Sequence, residues 1–291
     1  MPSAKPDDAA PSSKAGDVAP SANQRLSSLA KWKLVRDDES DPNGRIYRDA
    51  DGEIYHSVTR ILKETSNSKA ALEAWVARLG EERAAVERDT AATRGTLTHN
   101  CAEYLLRTAK RMAESTAKRR KSWYTKHDGL ERAPAPLTQW ALKQVMPSVP
   151  KAGLSAAGYR RGLLGWIEEH VTAIHAIEFS VHHPAGFAGT ADAFLDISGK
   201  GPLICDWKTS FNKRSEELLE DYCDQLGAYS LGLRHLTGIQ AKGALIVVAR
   251  RAGKPDVREL SALELRGAES RFSERCATYY DTLHKQLSGK P

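Results

Sequence analysis

The sequence lacks any run of about 18 apolar residues, so it holds no candidate for a membrane-spanning helix. Its first 20 residues contain neither arginine nor an apolar stretch, and three of them are aspartate. Such a segment fits neither a secretory signal, which needs an apolar centre, nor a mitochondrial transit peptide, which is rich in arginine and poor in acids. We therefore expect a cytoplasmic protein that makes no contact with a membrane.

Cysteine is scarce, with four in 291 residues, and no two of them form a C-x-x-C pair. That spacing argues against the usual structural zinc motifs, and we expect no zinc. Most of the cysteines lie in segments patterned for burial, which favours free buried thiols in a reducing compartment. They are Cys101, Cys205, Cys223 and Cys276.

Basic residues outnumber acidic residues in the composition, with 43 Lys or Arg against 37 Asp or Glu. The net charge is +6 and the isoelectric point about 9.1, a balance that suits a polyanionic partner, although many basic proteins bind no nucleic acid. With 41% hydrophobic residues, the length suits one sizeable domain. Residues 1–24 are rich in Ala, Ser, Pro and Asp and predict a disordered tail, which leaves residues 25–291 as a single domain.

The N-terminal part of that domain, residues 25–153, combines turn residues with helical periodicity. Asp51-Gly52 and an upstream Asp-Pro-Asn-Gly separate short β-prone runs and predict a hairpin. Apolar residues at helical spacing then predict helices, and a proline-containing stretch predicts an irregular connection. The predicted order is a short helix through Leu62, two helices over residues 69–92 separated at Gly80, a helix from about Arg94 to Ala113, and the connection at 128–153.

Residues 154–291 change to strands of period two that alternate with helices. The order helix, three strands in a meander, helix and strand predicts an α/β fold in which helices flank a mixed central sheet. The predicted elements are a helix capped by Ser155 from Ala156 to about His170, strands Ala173–Val181, Gly189–Ile197 and Leu203–Thr209, a helix from Ser215 to about Leu236, strands Lys242–Arg250 and Val257–Leu260, and a helix from about Gly267 to Leu287.

Two acids and a lysine on neighbouring predicted strands carry the chemistry. Period two places Asp206 and Lys208 on one face of a strand, and the preceding hairpin can bring Asp192, fourteen residues before Asp206, beside them. Close carboxylates repel each other unless a cation lies between them, and Mg²⁺ prefers oxygen ligands. A surface D-x-K is the ordinary alternative, but here the acids lie in apolar strands, where an unpartnered charge is costly.

These residues, with two further motifs, resemble the RecB-type branch of the PD-(D/E)XK nuclease superfamily. The resemblance spans roughly residues 50–235, and the motifs follow the order of that family. They are Gly95-x-x-x-His99-x-x-x-Glu103, Gly189-Thr190-Ala191-Asp192, Asp206-Trp207-Lys208-Thr209-Ser210 and Gln225-Leu226-Gly227-Ala228-Tyr229. The upstream Ser57-Val58-Thr59-Arg60-Ile61-Leu62 is also similar to a segment of phage exonucleases and of the mitochondrial genome-maintenance exonuclease.

The resemblance implies a restriction-endonuclease-like catalytic core of αβββαβ order in residues 154–291, with the hairpin and helices of 25–153 as a wall over the site. It implies hydrolysis of DNA by metal-activated water, with Mg²⁺ or Mn²⁺ as cofactor, and a histidine ligand favours Mn²⁺. The implied metal ligands are His99, Asp192, Asp206 and the carbonyl of Trp207. Lys208 would act on the water and the phosphate, Gln225 and Tyr229 would position Lys208 or the DNA backbone, and Glu103 and Glu178 would support the ligands or hold a second metal.

A basic stretch also favours DNA as the partner. Residues 107–126 carry eight Lys or Arg against one acid, with two aromatic residues among them. A solvated helix end is the ordinary alternative, and the functional one is a surface that follows phosphates and stacks unpaired bases. The predicted DNA-binding residues are Arg119, Arg120, Lys121, Trp123, Tyr124, Thr209 and Ser210.

By analogy with the relatives, we expect an exonuclease that prefers single-stranded ends. Two alternatives stay open, namely a structure-specific DNA endonuclease and a non-catalytic DNA-binding or recombination partner on the same fold. Relatives that hold an iron–sulfur cluster use one cysteine before and three after the core, whereas only Cys276 is available here, so we expect no cluster. The Ser-Val-Thr segment favours a bacterial or phage-infected cell, and the sequence leaves the oligomeric state open.

Overall fold

The computed structural model describes residues 24–26, 29, 34–38, 41, 44–66, 69–119, 125–127, 130–211 and 216–289, so the predicted tail lies outside it except for Gln24. The elements are β1 (Val35–Asp37), β2 (Ile46–Arg48), β3 (Ile54–Ser57), α1 (Val58–Glu64), α2 (Lys69–Leu79), α3 (Glu81–Arg119), β4 (Thr125–His127), β5 (Leu130–Arg132), α4 (Ala135–Val145), a 3-10 turn (Met146–Ser148), α5 (Ala157–His170), β6 (Val171–His183), β7 (Phe187–Ile197), β8 (Pro202–Ser210), α6 (Glu216–Thr237), β9 (Gly243–Arg250), β10 (Asp256–Ser261) and α7 (Ala262–Ser288).

The order α5-β6-β7-β8-α6-β9 confirms the predicted αβββαβ core. The main sheet has the strand order β1-β2-β3-β7-β8-β9-β10, and β6 pairs with the other edge of β7. Strands β6, β7 and β8 are antiparallel neighbours, whereas β8 and β9 run parallel because α6 connects them. The sheet is therefore mixed, as the sequence predicts.

One edge of β7 is only partly covered. Strand β6 pairs with β7 along its whole length, from Phe187 to Ile197. On the other edge, β8 pairs with residues 193–196 and β3 pairs in parallel with residues 187–188. Among the described residues, no strand covers this edge at Gly189–Asp192, which we call the open stretch. The open stretch gives side chains from several elements access to the middle of the sheet.

Alternation along the central strands divides the core between the two faces of the sheet. Cys205 and Trp207 belong to the core that packs against α3, α4 and α5. Ile204 and Ile246 belong to the core that packs against α1, α6 and α7. Because side chains alternate along a strand, Asp206 and Lys208 project on the α6 side.

The predicted N-terminal hairpin is a three-stranded meander that extends the central sheet. β1, β2 and β3 pair antiparallel in sequence, and β3 then pairs with β7. The hydroxyls of Tyr47 and Thr190 lie 3.4 Å apart and connect β2 to the open stretch. The N-terminal strands therefore form part of the sheet that holds the predicted acids.

The predicted helix from Arg94 is wrong at its start, since α3 runs without interruption from Glu81 to Arg119. Gly80, with a φ of +82°, separates α2 from α3 as predicted. Gly95 does not break α3, because one glycine costs only about 1 kcal/mol in a helix that is otherwise rich in Ala, Glu and Arg.

The predicted irregular connection at 128–153 is also wrong, because it contains β5, α4 and a 3-10 turn. Pro134 and Pro136 lie at the start of α4, where no amide hydrogen is needed. Ser155 does not cap α5, which begins at Ala157 with no side-chain cap at Ala156.

Two smaller expectations concern the cysteines and the membrane. All four cysteines are free and buried, as predicted. None of the described helices combines the length and the apolar character needed to cross a bilayer.

Candidate functional site

A cavity of about 370 Å³ lies over the open stretch, between α3, the end of β8 and the β3–α1 junction. We call it the Asp192 cavity. Its walls bring together residues that lie far apart in the sequence and belong to all the motifs described above. The predicted site residues that line it are His99, Glu103, Glu178, Asp192, Asp206, Lys208, Gln225 and Tyr229.

Asp192 and Asp206 meet where β7 and β8 separate. Their ladder ends at the Ala193–Cys205 pair, and beyond it Asp192 Oδ2 accepts a hydrogen bond of 2.6 Å from the amide of Trp207. In an extended strand, the N–H and C=O of one residue point toward the same neighbour. The Trp207 carbonyl, a predicted ligand, therefore faces the Asp192 edge of β8.

His99, Glu178 and Asp192 form a tight cluster in which one ligand atom from each lies within 4.8 Å of the others. His99 Nδ1 is 3.3 Å from Asp192 Oδ1. The pairs Ile177–Ala193 and Phe179–Ala191 place Glu178 directly opposite Asp192 on the neighbouring strand. Like charges in opposite register positions destabilise a sheet, so this pair favours a bound cation.

The backbone of Glu178 is unusual, with a φ of +46°. A non-glycine residue in this region costs about 1–3 kcal/mol, and such strain is concentrated at functional sites. Glu178 therefore carries both backbone strain and charge repulsion from Asp192.

Two of the cavity acids, Glu178 and Asp206, are protonated more easily than ordinary carboxylates. Burial, with the charges of Asp192 and Glu103, raises the pKa of Glu178 to about 7. Burial and the charge of Asp192 raise the pKa of Asp206 to about 6, although Lys208 opposes the rise. For Asp192, burial also acts upward, but His99 and Lys208 outweigh it and hold the pKa below its usual value. Crowded acids beside an imidazole fit a divalent cation, which would keep all of them ionised.

Lys208 is fixed as an ammonium group. Its Nζ lies 2.6 Å from Asp206 Oδ2, donates to Gln225 Oε1 at 3.3 Å and lies 4.9 Å from the centre of the Tyr222 ring. Burial alone would lower the pKa of Lys208, but Asp206 and Asp192 outweigh burial and raise it. Lys208 can therefore donate hydrogen bonds to a water or a phosphate, and it is not suited to accept a proton.

Gln225 connects the charged residues to the helix behind them. Its Nε2 donates to Asp206 Oδ1 at 3.2 Å and to the Tyr229 hydroxyl at 2.8 Å. Gln225 and Tyr229 are one turn apart on α6, so they lie on the same face of that helix. Gln225 thus holds Asp206, Lys208 and Tyr229 in one hydrogen-bonded group.

Gly189 and Tyr229, which belong to different motifs, are in contact. A Cβ atom at Gly189 would lie 2.6 Å from Cε1 of Tyr229. Only glycine lets the buried tyrosine ring reach the backbone of the open stretch. The spacing G-x-x-D therefore sets the position of Asp192 relative to α6.

Of the other predicted residues, Glu103 lines the cavity, whereas Thr209, Ser210 and Arg119 do not, and the rest lie outside the described ranges. Glu103 accepts from Arg107 Nε at 2.6 Å. Thr209 is partly exposed, Ser210 is 5% exposed and Arg119 is exposed at the end of α3. The residues outside the described ranges are Arg120, Lys121, Trp123 and Tyr124.

Two charged residues that line the cavity were not predicted, Arg36 and Arg45. Asp38 forms an ion pair with each of them. Its Oδ2 atom lies 2.8 Å from Arg36 Nε, and its Oδ1 atom contacts Arg45 Nε. No motif marks these arginines in the sequence. They reach the cavity because β3 pairs with β7, a contact between distant parts of the chain.

Comparisons with known proteins add to this geometry. A sequence model described as the PD-(D/E)XK nuclease superfamily matches residues 26–288. No curated protein matches the chain. A crystal structure named "Putative exonuclease", from Eubacterium rectale, is similar over 62% of this chain at 14% identity, with a TM-score of 0.30. The match spans 65% of that protein, and its low score carries no argument about function.

Proposed function

The chain belongs to the PD-(D/E)XK nuclease superfamily, and on that premise we propose that it is a deoxyribonuclease that hydrolyses phosphodiester bonds with the help of Mg²⁺ or Mn²⁺. One observation carries the proposal. Asp192, Asp206 and Lys208 converge over the open stretch, with His99 and Glu178 beside them.

The proposed metal ligands are His99, Glu178 and Asp192, together with Asp206 and the carbonyl of Trp207. Glu178 joins the predicted set because it lies directly opposite Asp192. When bound, the ion would activate a water and neutralise charge on the phosphate. A set that combines imidazole with carboxylates favours Mn²⁺.

The protein's own contribution is to hold positive charge and hydrogen-bond donors at the phosphate. The Lys208 ammonium would orient the attacking water and stabilise charge that develops on the phosphate oxygens. Gln225 keeps that ammonium beside Asp206 and is itself held by Tyr229. Gln225 and Tyr229 are therefore positioning residues.

We propose further that the substrate is a single strand with a free end, in the cytoplasm of a bacterial or phage-infected cell. The Asp192 cavity, at about 370 Å³, is lined by α3 and by residues of the β1–β3 segment. That volume lies at the small end of the range of about 300–1,000 Å³ for ligand sites, which suits one nucleotide better than a duplex. Arg36 and Arg45 line the same cavity as the acids, and their guanidinium groups offer donors to an adjoining phosphate.

End-labelled DNA tests this function directly. We expect linear single strands to be degraded with Mn²⁺ or Mg²⁺, circular single strands to survive, and EDTA to stop all cleavage. Opening of the circle would instead show an endonuclease. Absence of cleavage with either metal would contradict the proposed function.

Metal binding should also be visible without turnover. At a Mn²⁺ concentration about 100 times the dissociation constant, binding adds about 2.7 kcal/mol of stability, or roughly 5–10 °C in Tm for a domain of this size. We expect this rise for the wild type in a thermal scan against EDTA, and we expect Asp192→Asn to lose most of it. The control Asp89→Asn changes an exposed acid of α3 and should keep the full rise. An equal rise in Asp192→Asn would remove Asp192 from the metal site.

The two unpredicted arginines lead to a separate prediction. Arg45→Ala removes a charged donor from the cavity wall, so KM should rise about ten-fold while kcat changes little. Arg48→Ala is the matched control, because Arg48 lies on β2 but does not line the cavity. Equal KM values for both variants would show that Arg45 does not contact the DNA.

A further inference from the structure

A second cavity, of about 720 Å³, lies between α5 and the turn 251–255 that joins β9 to β10. We call it the α5 groove. It lies on the other side of the sheet from the side chains of Asp206 and Lys208, since its floor residue Trp166 belongs to the core of α3, α4 and α5. Its volume falls within the range of about 300–1,000 Å³ that is usual for ligand sites.

The walls of the α5 groove are held rigidly together. A Cβ atom at Gly158 would lie 1.9 Å from the carbonyl oxygen of Arg251. The turn therefore rests directly on the backbone of α5. This contact fixes the start of the turn relative to the helix before any ligand arrives, which lowers the entropic cost of binding.

The chemistry of the α5 groove suits a nucleic acid strand. Arg161, Arg251 and Lys254 line it and are exposed, and the acid among the lining residues is Glu169. Within the described part of the chain, none of these three cations forms an ion pair, so their charge is available to an anion. The floor is aromatic, since the rings of Trp166 and His170 stack at 4.9 Å. Cations over an aromatic floor match the phosphates and bases of a strand.

A chain of contacts links the α5 groove to the Asp192 cavity. Gly95 lines that cavity, and a Cβ atom there would be 3.8 Å from Thr209 Oγ1. The next residue, Arg94, places its guanidinium 4.7 Å from the centre of the Tyr159 ring on α5. Tyr159 adjoins Gly158, which contacts the turn at the groove.

The strand register shows the same proximity. Ser210 at the end of β8 is paired with Arg250 at the end of β9, one residue before the turn. A single strand that left the Asp192 cavity past Thr209 would therefore reach the cations of the groove within a short distance.

We propose that the α5 groove binds nucleotides of the same single strand whose end occupies the Asp192 cavity. This inference rests on the proposed nuclease function, and it adds a second contact site for the substrate. The groove would hold the strand and leave the chemistry to the residues over the open stretch.

The test measures binding separately from cleavage. In an Asp206→Asn background, the triple variant Arg161→Ala, Arg251→Ala and Lys254→Ala should bind a long single strand about ten-fold more weakly. Its slope of log affinity against log salt should fall by about 2, since each lost phosphate contact on a single strand contributes about 0.7. The matched control removes three exposed cations elsewhere, with Arg88→Ala, Arg266→Ala and Lys285→Ala, and should change neither value.

Strand length and ligand type complete the test. With Asp206 intact, the groove variant should cut a short oligonucleotide that fills only the Asp192 cavity at the wild-type rate, and it should show a raised KM for a long strand. An unchanged salt slope would overturn the inference, as would a free nucleoside monophosphate that binds the groove as tightly as the strand does. If the wild type cut no DNA while the groove variant still bound DNA more weakly, the proposed nuclease function would be refuted, but strand binding by the α5 groove would still be supported.

Discussion

Asp206→Asn is expected to lower the rate of DNA cleavage at least about a thousand-fold while the protein stays folded. The substitution keeps the size of the side chain and removes its charge. Asp206 is 2% exposed and contacts both Lys208 and Gln225, so the lost charge cannot be replaced by solvent. The proposed metal site and the ammonium group beside it are weakened together.

The measurement is cleavage of labelled single strands with Mn²⁺, with far-UV circular dichroism as the check on folding. Asp196→Asn is the matched control, because Asp196 is also buried and charged, but it pairs with His175 Nε2 at 2.9 Å and does not line the Asp192 cavity. The control should cut at a rate close to that of the wild type per folded molecule. Rapid cleavage by Asp206→Asn would refute the site.

Gly227→Ala is expected to destabilise the fold by about 3 kcal/mol, which lowers Tm by roughly 6–12 °C. Gly227 lies on α6 where this helix packs against α7, and a Cβ atom there would be 2.5 Å from the carbonyl carbon of Ala268. The obstructing atoms belong to backbone and cannot rotate away, so the helices must separate. Cleavage should fall too, because Gln225 and Tyr229 flank Gly227 on α6.

A second glycine at this helix pair provides the control. A Cβ atom at Gly267 would meet only the flexible end of the Arg271 side chain, at 3.6 Å. Gly267→Ala should therefore be neutral or stabilising by up to about 1 kcal/mol, since alanine favours a helix. Equal thermal unfolding of both variants would contradict the close approach of α6 and α7.

The core of the fold was predictable from the sequence because its contacts are local. Alternation of apolar residues predicted β6, β7 and β8, and a tight hairpin joins β7 to β8. The approach of Asp192 to Asp206 could therefore be predicted from the two-residue period of the strands and the length of the hairpin loop. Helix α3 was harder to predict, because the pattern does not show that residues 81–92 continue without a break into the helix predicted from Arg94. Whether two helical segments join into one helix depends on tertiary packing, which the local pattern does not contain.

The features that sequence reasoning missed depend on distant contacts or on backbone strain. Glu178 was predicted, but only as a supporting residue or a ligand of a second metal, because its register opposite Asp192 and its positive φ are not visible in a strand pattern. Arg36 and Arg45 reach the cavity only because β3 occupies the edge of β7 that β8 leaves free. Pairing between strands so far apart in the chain cannot be deduced from periodicity alone.

The open stretch also bears on the risk of aggregation through strand edges. An uncovered strand edge normally invites a strand from another molecule and leads to aggregation. Here the gap is short, and β3 and β8 close it at either end, so an intruding strand of ordinary length has no room to pair. The enzyme can thus leave part of a central strand accessible to its substrate without becoming a template for fibrils.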